Sequence, residues 1–547
     1  MIKRINFIAL SALAIAIVTA MSCKKVLNKP DEGGSSNTID TSNSTLIDRL
    51  YDSVFLYASQ TYYWNTQLPN YMDFNPRQYK SSDTLNGLQM EVFKLSQYAI
   101  NPDTKQPYEY PIDPADDPYD AKYSYLERTS DLVNGGSEYV KYNTPVSKAE
   151  LMTLDGKNND LGFIPGFITY GYQDNSKPDT TVAYVRYVTT NSPAYNAGLR
   201  RGMTIHKYNG DTLSYENDLD EILNLIEGNN ITLSIYDSTL KKDVNYSFSK
   251  KLYDYNPIFK DTVLNIGTEK IGYIAYQTFS ELENSEAPLD SAFKYFSNQS
   301  VKDIIVDLRY NGGGAVETAE HLVDLIAPVS AQNKKMYTAY YNSMMVNKQA
   351  TILKYQPIPG EPGHTYFDYD YTPDGNSPDI QQVSGVPNLN LSHIYFIVSS
   401  RTASASELTI NSLKPYFSDS VHLIGTNFSD DGKKTYGKPV GFFPIVIGNY
   451  TMYMPNFETK NAKDEGGYYQ GMSTDIQPFD EIRRDFGDVR EDALLATLQL
   501  INPQYKGLSD RQLNSANIIS RTRIKALSVG KVTNMSNMIG KPKRILK

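Results

Sequence analysis

Apolar residues recur at helical spacing in Leu46-Ile47-Asp48-Arg49-Leu50-Tyr51 and again in Val54-Phe55-Leu56, which predicts an amphipathic helix. The aromatic cluster Tyr62-Tyr63-Trp64-Asn65 and a Pro-rich stretch reaching Pro118 follow it. Residues 45–150 are therefore expected to form a small, mainly helical N-terminal domain with long loops. The pattern then shifts to short β-type runs. Val182-Ala183-Tyr184-Val185 and the alternating Ile231-Thr232-Leu233-Ser234-Ile235 predict strands in a second unit, 155–252. From 256 to 503 strands and helices alternate. Residues 270–276, 303–308 and 394–398 read as strands; 316–325, the run after Ser404, and 491–500 read as helices. A strand, a Gly-rich turn and a helix make one α/β step, so the fold class is multidomain α/β. No internal repeat recurs at a fixed period.

At 547 residues the chain is too long for a single ordinary core, and 40% hydrophobic with 21% charged residues is the composition of a folded globular protein. A net charge of −9 argues against general nucleic-acid binding. The charge is uneven, because 504–547 holds ten Lys and Arg against the single acid Asp510. This basic C-terminal tail is expected to be a solvated, partly mobile end, with contact to a membrane or an acidic partner as the alternative. The 44 tyrosines suggest polar-tipped aromatic packing on β-rich surfaces and identify no ligand.

The N-terminus reads as a targeting segment. Lys3 and Arg4 precede an apolar run from Ile5 to Met21 that is too short and badly flanked for a stable membrane span. It ends in Ala20-Met21-Ser22-Cys23, which resembles a bacterial lipobox, with Ala20 where Leu is more usual. The resemblance implies a signal peptide over 1–22 and lipidation of Cys23, the chain's single cysteine, which has no partner for an internal disulfide. Residues 23–44, rich in Ser, Thr, Asn, Asp and Gly, read as a flexible tether. The expected location is extracytoplasmic, lipid-anchored to a bacterial membrane, with the outer membrane favoured.

Three pieces carry candidate chemistry. The strand 303–308 runs into Arg309-Tyr310-Asn311-Gly312-Gly313-Gly314. The strand 394–398 runs into Ser400-Arg401-Thr402-Ala403-Ser404-Ala405-Ser406-Glu407, a turn that would hold the Ser404 hydroxyl at the positive end of a helix. Thr435-Tyr436-Gly437-Lys438 then offers a lysine base. A serine nucleophile must lose its proton to a neighbour, and a lysine takes it only when neutral, so its pKa must fall from about 10.4 towards roughly 7–8. Each piece also has a plainer explanation. Ser404-Ala405-Ser406-Glu407 is a capping box, worth about 1 kcal/mol. The glycines make a tight turn and not a P-loop, since no Gly-Lys-Ser/Thr follows them. Lys433 and Lys434 are rival bases within a lengthened loop, 427–434. The five histidines show no metal-ligand spacing, and His422 reads as structural. No metal and no cofactor is expected.

The segment Ser192-Pro193-Ala194-Tyr195-Asn196-Ala197-Gly198-Leu199-Arg200-Arg201-Gly202, in which Ser192-Pro193 starts a short helix that Gly198 closes, ends at Asn209-Gly210, a tight hairpin turn, and resembles a PDZ domain of the type attached to bacterial proteases. By that resemblance Leu161, Gly162 and Phe163 offer backbone N–H groups to a peptide C-terminus, while the peptide adds a strand to the sheet edge. Together with the three chemical pieces, this order of motifs resembles the C-terminal processing (tail-specific) serine protease family. The resemblance implies a crotonase-like (ClpP-type) α/β protease core over 256–503 with an inserted PDZ domain. It makes Ser404 the nucleophile, Lys438 the general base, and the N–H groups of Gly313 and Ala405 the oxyanion hole. The implied partners are polypeptides with unstructured C-termini. One departure stands out, since many members carry a glutamine four residues after the lysine and this chain has Phe442. A non-catalytic, peptide-binding lipoprotein on the same fold is the alternative. A crotonase-type acyl-CoA enzyme shares only the core architecture.

Overall fold

The computed structural model describes residues 44–129 (without 113 and 116), 154–172, 180–507 (without 215, 216, 238, 360 and 427–431), 522–528, and 538–546 (without 541). The expected signal peptide, Cys23 and nearly all of the expected tether lie outside the described residues, as do 427–431 of the expected loop insert.

The centre is a five-stranded sheet in the order Val421–Gly425, His393–Val398, Asp303–Asp307, Glu269–Tyr276, Ile258–Ile266. The first four strands run parallel and the last pairs antiparallel with its neighbour. Both faces are covered, which explains runs such as Ile304-Ile305-Val306 and Ile394-Tyr395-Phe396-Ile397-Val398 that are apolar without alternation. The pleat still sorts them. Ile304, Val306, Ile394, Phe396 and Val398 pack with Leu289, Leu322 and Leu408 of the helices on one face. Ile305, Tyr395 and Ile397 pack with Leu494 and Leu498 of the helix Asp492–Ile501 on the other.

The second unit is a six-stranded sheet in the order Thr522–Ser528, Phe163–Tyr172, Thr180–Val188, Thr204–Tyr208, Asn230–Asp237, Lys242–Ser249, with every neighbour antiparallel. It has its own apolar cluster, centred on Phe167, Leu199, Ile222 and Leu233. The local expectations for this unit are met. Ser192 caps the short helix Pro193–Asn196 by accepting the Tyr195 N–H at 3.1 Å. Asn209 and Gly210, both at positive φ, close a two-residue hairpin in which Tyr208 and Asp211 exchange backbone hydrogen bonds.

Two expectations are corrected. Residues 45–129, the described part of the expected 45–150 domain, do not fold as a domain of their own. The helices Leu46–Thr61 and Thr84–Ser96 join the core's main apolar cluster, and the strand Tyr125–Arg128 pairs with Tyr450–Tyr453. Long-range pairing supplies what a short helical segment lacks by itself. Nor is the basic tail simply solvated. Residues 522–528 form the outermost strand of the second sheet, and Met538 is fully buried in the core. Charge count registers neither, because strand pairing and the burial of Met538 dock these segments, with Lys543 pairing to Glu320 beside them.

A buried ionic seam ties the two sheets together. Arg201 of the second unit donates to Tyr310 Oη at 2.8 Å and to Asp480 at 3.2 Å. Arg309 bridges Asp307, Asp480 and Glu491 at 2.7–2.8 Å. Arg309 and Tyr310 lead directly into the glycine turn, so the second unit is fastened to the element that shapes the site.

Candidate active site

Ser404 stands between the strand His393–Val398 and the helix Ala405–Phe417 as the helix N-cap, at φ +63° and ψ −118°. Positive φ is uncommon for a residue with a Cβ and persists only where the surroundings enforce it. Here Thr402 Oγ donates to Leu308 O at 2.7 Å, Ser406 Oγ donates to Asn311, and the Glu407 carboxylate takes the Ser404 N–H at 3.0 Å. The Ser404 side chain is fully buried, and its Oγ has no hydrogen-bond partner among the described residues. A structural cap is held by its hydroxyl. Here Oγ faces the Glu407 N–H as in a capping box but makes no full hydrogen bond among the described residues, and a poorly satisfied hydroxyl in a strained turn is the setting of a nucleophile.

The glycine turn lies flat against it. A Cβ on Gly313, at φ +110°, would fall 2.7 Å from Ser404 Cβ and 2.9 Å from Ala405 N, so only glycine allows the approach. Gly313 was the expected oxyanion donor, but its N–H donates to Asn311 Oδ1 at 2.9 Å. Asn311 is a fully buried brace whose Nδ2 also donates to Tyr276 O at 3.0 Å. No acceptor among the described residues takes the N–H of Gly314 or of Ala405. The outer edge of the same turn is covered by the C-terminal tail: Ile539 N–H donates to Gly314 O at 3.2 Å and Val316 N–H to Ile539 O at 3.0 Å.

Lys438 is buried, and burial pushes its pKa down to about 7; Glu109 and Glu407 pull it upward and Lys122 presses it further down. Its Nζ lies 4.8 Å from the centre of the Phe442 ring and 6.0 Å from that of Tyr123. Phe442 thus puts an aromatic face where the family pattern has an amide, supplying an apolar wall in place of an acceptor. Lys433 and Lys434, the rival bases, have exposed side chains. His422 stacks on Tyr395 at 5.0 Å and faces Asp475 at 3.6 Å, a pairing within the sheet's edge.

Glu407 is the residue that sequence reasoning underrated. As a capping-box glutamate it owed one bond, to Ser404 N–H. It also accepts Gly437 N–H at 2.9 Å, Lys438 N–H at 2.7 Å and the Thr435 hydroxyl. The main chains of Ser404 and Lys438 therefore meet on one carboxylate oxygen. Burial pushes the Glu407 carboxyl up and its four donors pull it back towards the ionised form. Replacing Glu407 by Ala would strand four buried donors at about 1–3 kcal/mol each. The urea midpoint is expected to fall by an amount equivalent to more than about 3 kcal/mol, with Glu407→Gln falling less. An unchanged midpoint in the alanine variant would show that the clamp holds nothing.

The N-terminal segment closes over the lysine. Tyr123 Oη donates to Gly437 O at 2.6 Å, and Lys122 Nζ donates to Tyr469 O at 2.6 Å with its pKa pushed down to about 8 by burial. Glu109, pushed up to about 7 by burial, accepts from Tyr62, Tyr123 and Ser124. No local motif marks these residues, since they reach the site only through the tertiary docking of 45–129.

Away from this centre, Leu161 and Phe163 are buried and Gly162 has φ +78°. The Gly162 N–H turns back on the Asp160 carboxylate, and Leu161 O and Gly162 O accept from Ala194 and Thr189.

Residues 270–442 match the model of peptidase family S41. Among solved structures, a candidate S41 protease from Bacteroides fragilis superposes with a TM-score of 0.54 at 20% identity, covering 88% of this chain and all of the other, which shows a shared fold. The photosystem II D1 C-terminal processing protease aligns at a TM-score of 0.42 and 14% identity over 82% of this chain and 97% of its own. Mature CPAF aligns at 0.37 and 11% over 84% and 99%. No curated protein shows significant similarity to the chain.

Proposed function

With residues 270–442 belonging to peptidase family S41, which makes the chain a serine-type peptidase by class, we propose that it is an endopeptidase of the C-terminal processing type working through a Ser404/Lys438 dyad. The observation that carries the dyad is the Glu407 carboxylate holding both main chains beside an unsatisfied serine hydroxyl and a lysine pushed down to about 7. Neutral Lys438 takes the Ser404 proton as Oγ attacks the peptide carbonyl. The developing oxyanion is held by the N–H groups of Gly314 and Ala405, in place of the Gly313 pairing expected from sequence, each such donor being worth about a hundredfold or more in rate. Collapse of the tetrahedral adduct breaks the C–N bond as Lys438 gives its proton to the departing amine; the lysine, neutral again, deprotonates the water that attacks the acyl-enzyme and returns that proton to Ser404 Oγ as the acid leaves. A mixed, largely parallel sheet with helices on both faces supports the crotonase-like assignment of the core.

The second sheet is read as a PDZ domain that captures polypeptide and delivers it to the core. Its hairpin and helix cap follow the pattern expected of such a domain. Lipid anchoring through Cys23 outside the cytoplasm completes the proposal and rests on the lipobox pattern alone.

A fluorophosphonate probe tests the activated hydroxyl. Covalent labelling that maps to Ser404 is expected in the full chain, and its absence under conditions that label a control serine hydrolase would favour the binding-only alternative.

A further inference from the structure

The strand Phe163–Tyr172 would be the open edge of its sheet but for Thr522–Ser528, which lies along it antiparallel from the Thr522–Tyr172 pair to Ser528–Gly166. An uncovered edge is a template for any extended chain, because its alternate N–H and C=O groups point outward. Two observations show what kind of chain this edge suits. The occupant points its C-terminal end towards the 161–163 turn but does not stop there, and the chain is next described at Met538 in the core. The turn itself is already partly served, since the Gly162 N–H faces the Asp160 carboxylate, which also accepts from Tyr253 Oη at 2.7 Å. A free peptide carboxylate arriving there meets a carboxylate already in place.

We propose that the outer edge of Phe163–Tyr172 is a docking edge for an internal, extended polypeptide segment read through its backbone, and that residues 522–528 hold it as a tethered occupant that an incoming polypeptide displaces. This deepens the peptidase reading by naming what is captured and how, although the binding itself does not depend on hydrolysis. The tether is fastened at both ends. Before it, Gly507 O accepts from Gln499. After it, Met538 O accepts from Phe442 N–H, Ile539 is bonded between Gly314 and Val316, and Lys543 pairs with Glu320 at 2.6 Å. A segment tied this way competes at an effective concentration on the order of millimolar, so micromolar ligands are excluded while it is seated.

The test uses the full chain carrying Ser404→Ala, so that bound peptide persists and a failure to bind is separate from a failure to cleave. One form keeps its tail. The other adds Lys525→Pro and Ala526→Pro, adjacent changes that remove a ladder N–H whichever of the two makes it. The probe is a fluorescent peptide of sequence Thr-Arg-Ile-Lys-Ala-Leu-Ser with two glycines at each end and an amidated C-terminus, followed by anisotropy. The proline form is expected to bind at least about tenfold more tightly than the parent, and a free carboxylate on the probe is expected to change the affinity less than about threefold. Equal binding to both forms, or no binding to the proline form, overturns the proposal. Tenfold tighter binding of the free-acid probe overturns it in favour of terminus capture. Should the proline form lose its near-ultraviolet circular dichroism, Thr169→Cys with Lys525→Cys replaces it, these being cross-strand partners. Oxidation is expected to lock the tail and block the probe at least tenfold relative to the reduced form, and failure to cross-link overturns the seated strand.

Discussion

Replacing Ser404 by Ala is expected to reduce cleavage of an unfolded polypeptide by at least about a thousandfold while leaving the chain as stable as its parent or slightly more so. The first half follows from removing the only atom that forms the acyl bond, and what remains is whatever binding and the oxyanion donors supply. The second half follows from burial. Ser404 Oγ is enclosed and makes no full hydrogen bond among the described residues, and an unsatisfied buried polar group costs roughly 1–3 kcal/mol. Alanine keeps the Cβ, so the strain at φ +63° is the same in both, and the Glu407 bond to the backbone N–H survives. A serine that only capped the helix would behave oppositely, losing about 1 kcal/mol on truncation. The checks are fragment release from a labelled unfolded protein and the urea midpoint of each form. Retained cleavage would remove Ser404 from the mechanism, and a clear drop in midpoint would return it to the role of a cap.

Cleavage should also carry the signature of Lys438. A general base works only when unprotonated, and burial pushes this lysine down to about 7. Below that value the cation dominates, so kcat/KM is expected to rise about tenfold per pH unit from pH 5 to near 7 and then level off. Lys438→Met retains apolar volume beside Phe442 and Tyr123 and removes the base, with an expected loss of at least about a thousandfold at pH 8 and no such rise with pH. Phe442→Gln is the informative companion. An amide oxygen near Nζ favours the charged form, so the midpoint of the profile is expected to move upward. A flat profile in the parent chain, or a Lys438→Met variant that retains the rise, would place the base elsewhere.

Much of this site was legible in the chain because its parts are local. A β run that breaks into Thr402-Ala403-Ser404 and then a helical pattern reads as a strand-to-helix turn, and the glycines after Asp307 read as a tight turn. The lysine was legible as a candidate base. What stayed hidden was relational. Gly313 looked like the donor until Asn311, two residues earlier, was seen to take its N–H. Glu407 looked like half of a capping box until the loop carrying Thr435 and Lys438 was seen to land on the same carboxylate.

The sequence by itself determined the element types, the second unit's hairpin and helix cap, and the strand-to-helix turn that holds Ser404. Those features depend on backbone preferences and side-chain periodicity within a few residues. Only the tertiary structure decided that residues 45–129 belong to the core, that Tyr123 is brought over the lysine, and that the basic tail fills one sheet edge and then covers the turn at Gly314. The reason is physical. Burial and edge pairing are made by partners hundreds of residues apart, and neither composition nor period records which partner arrives.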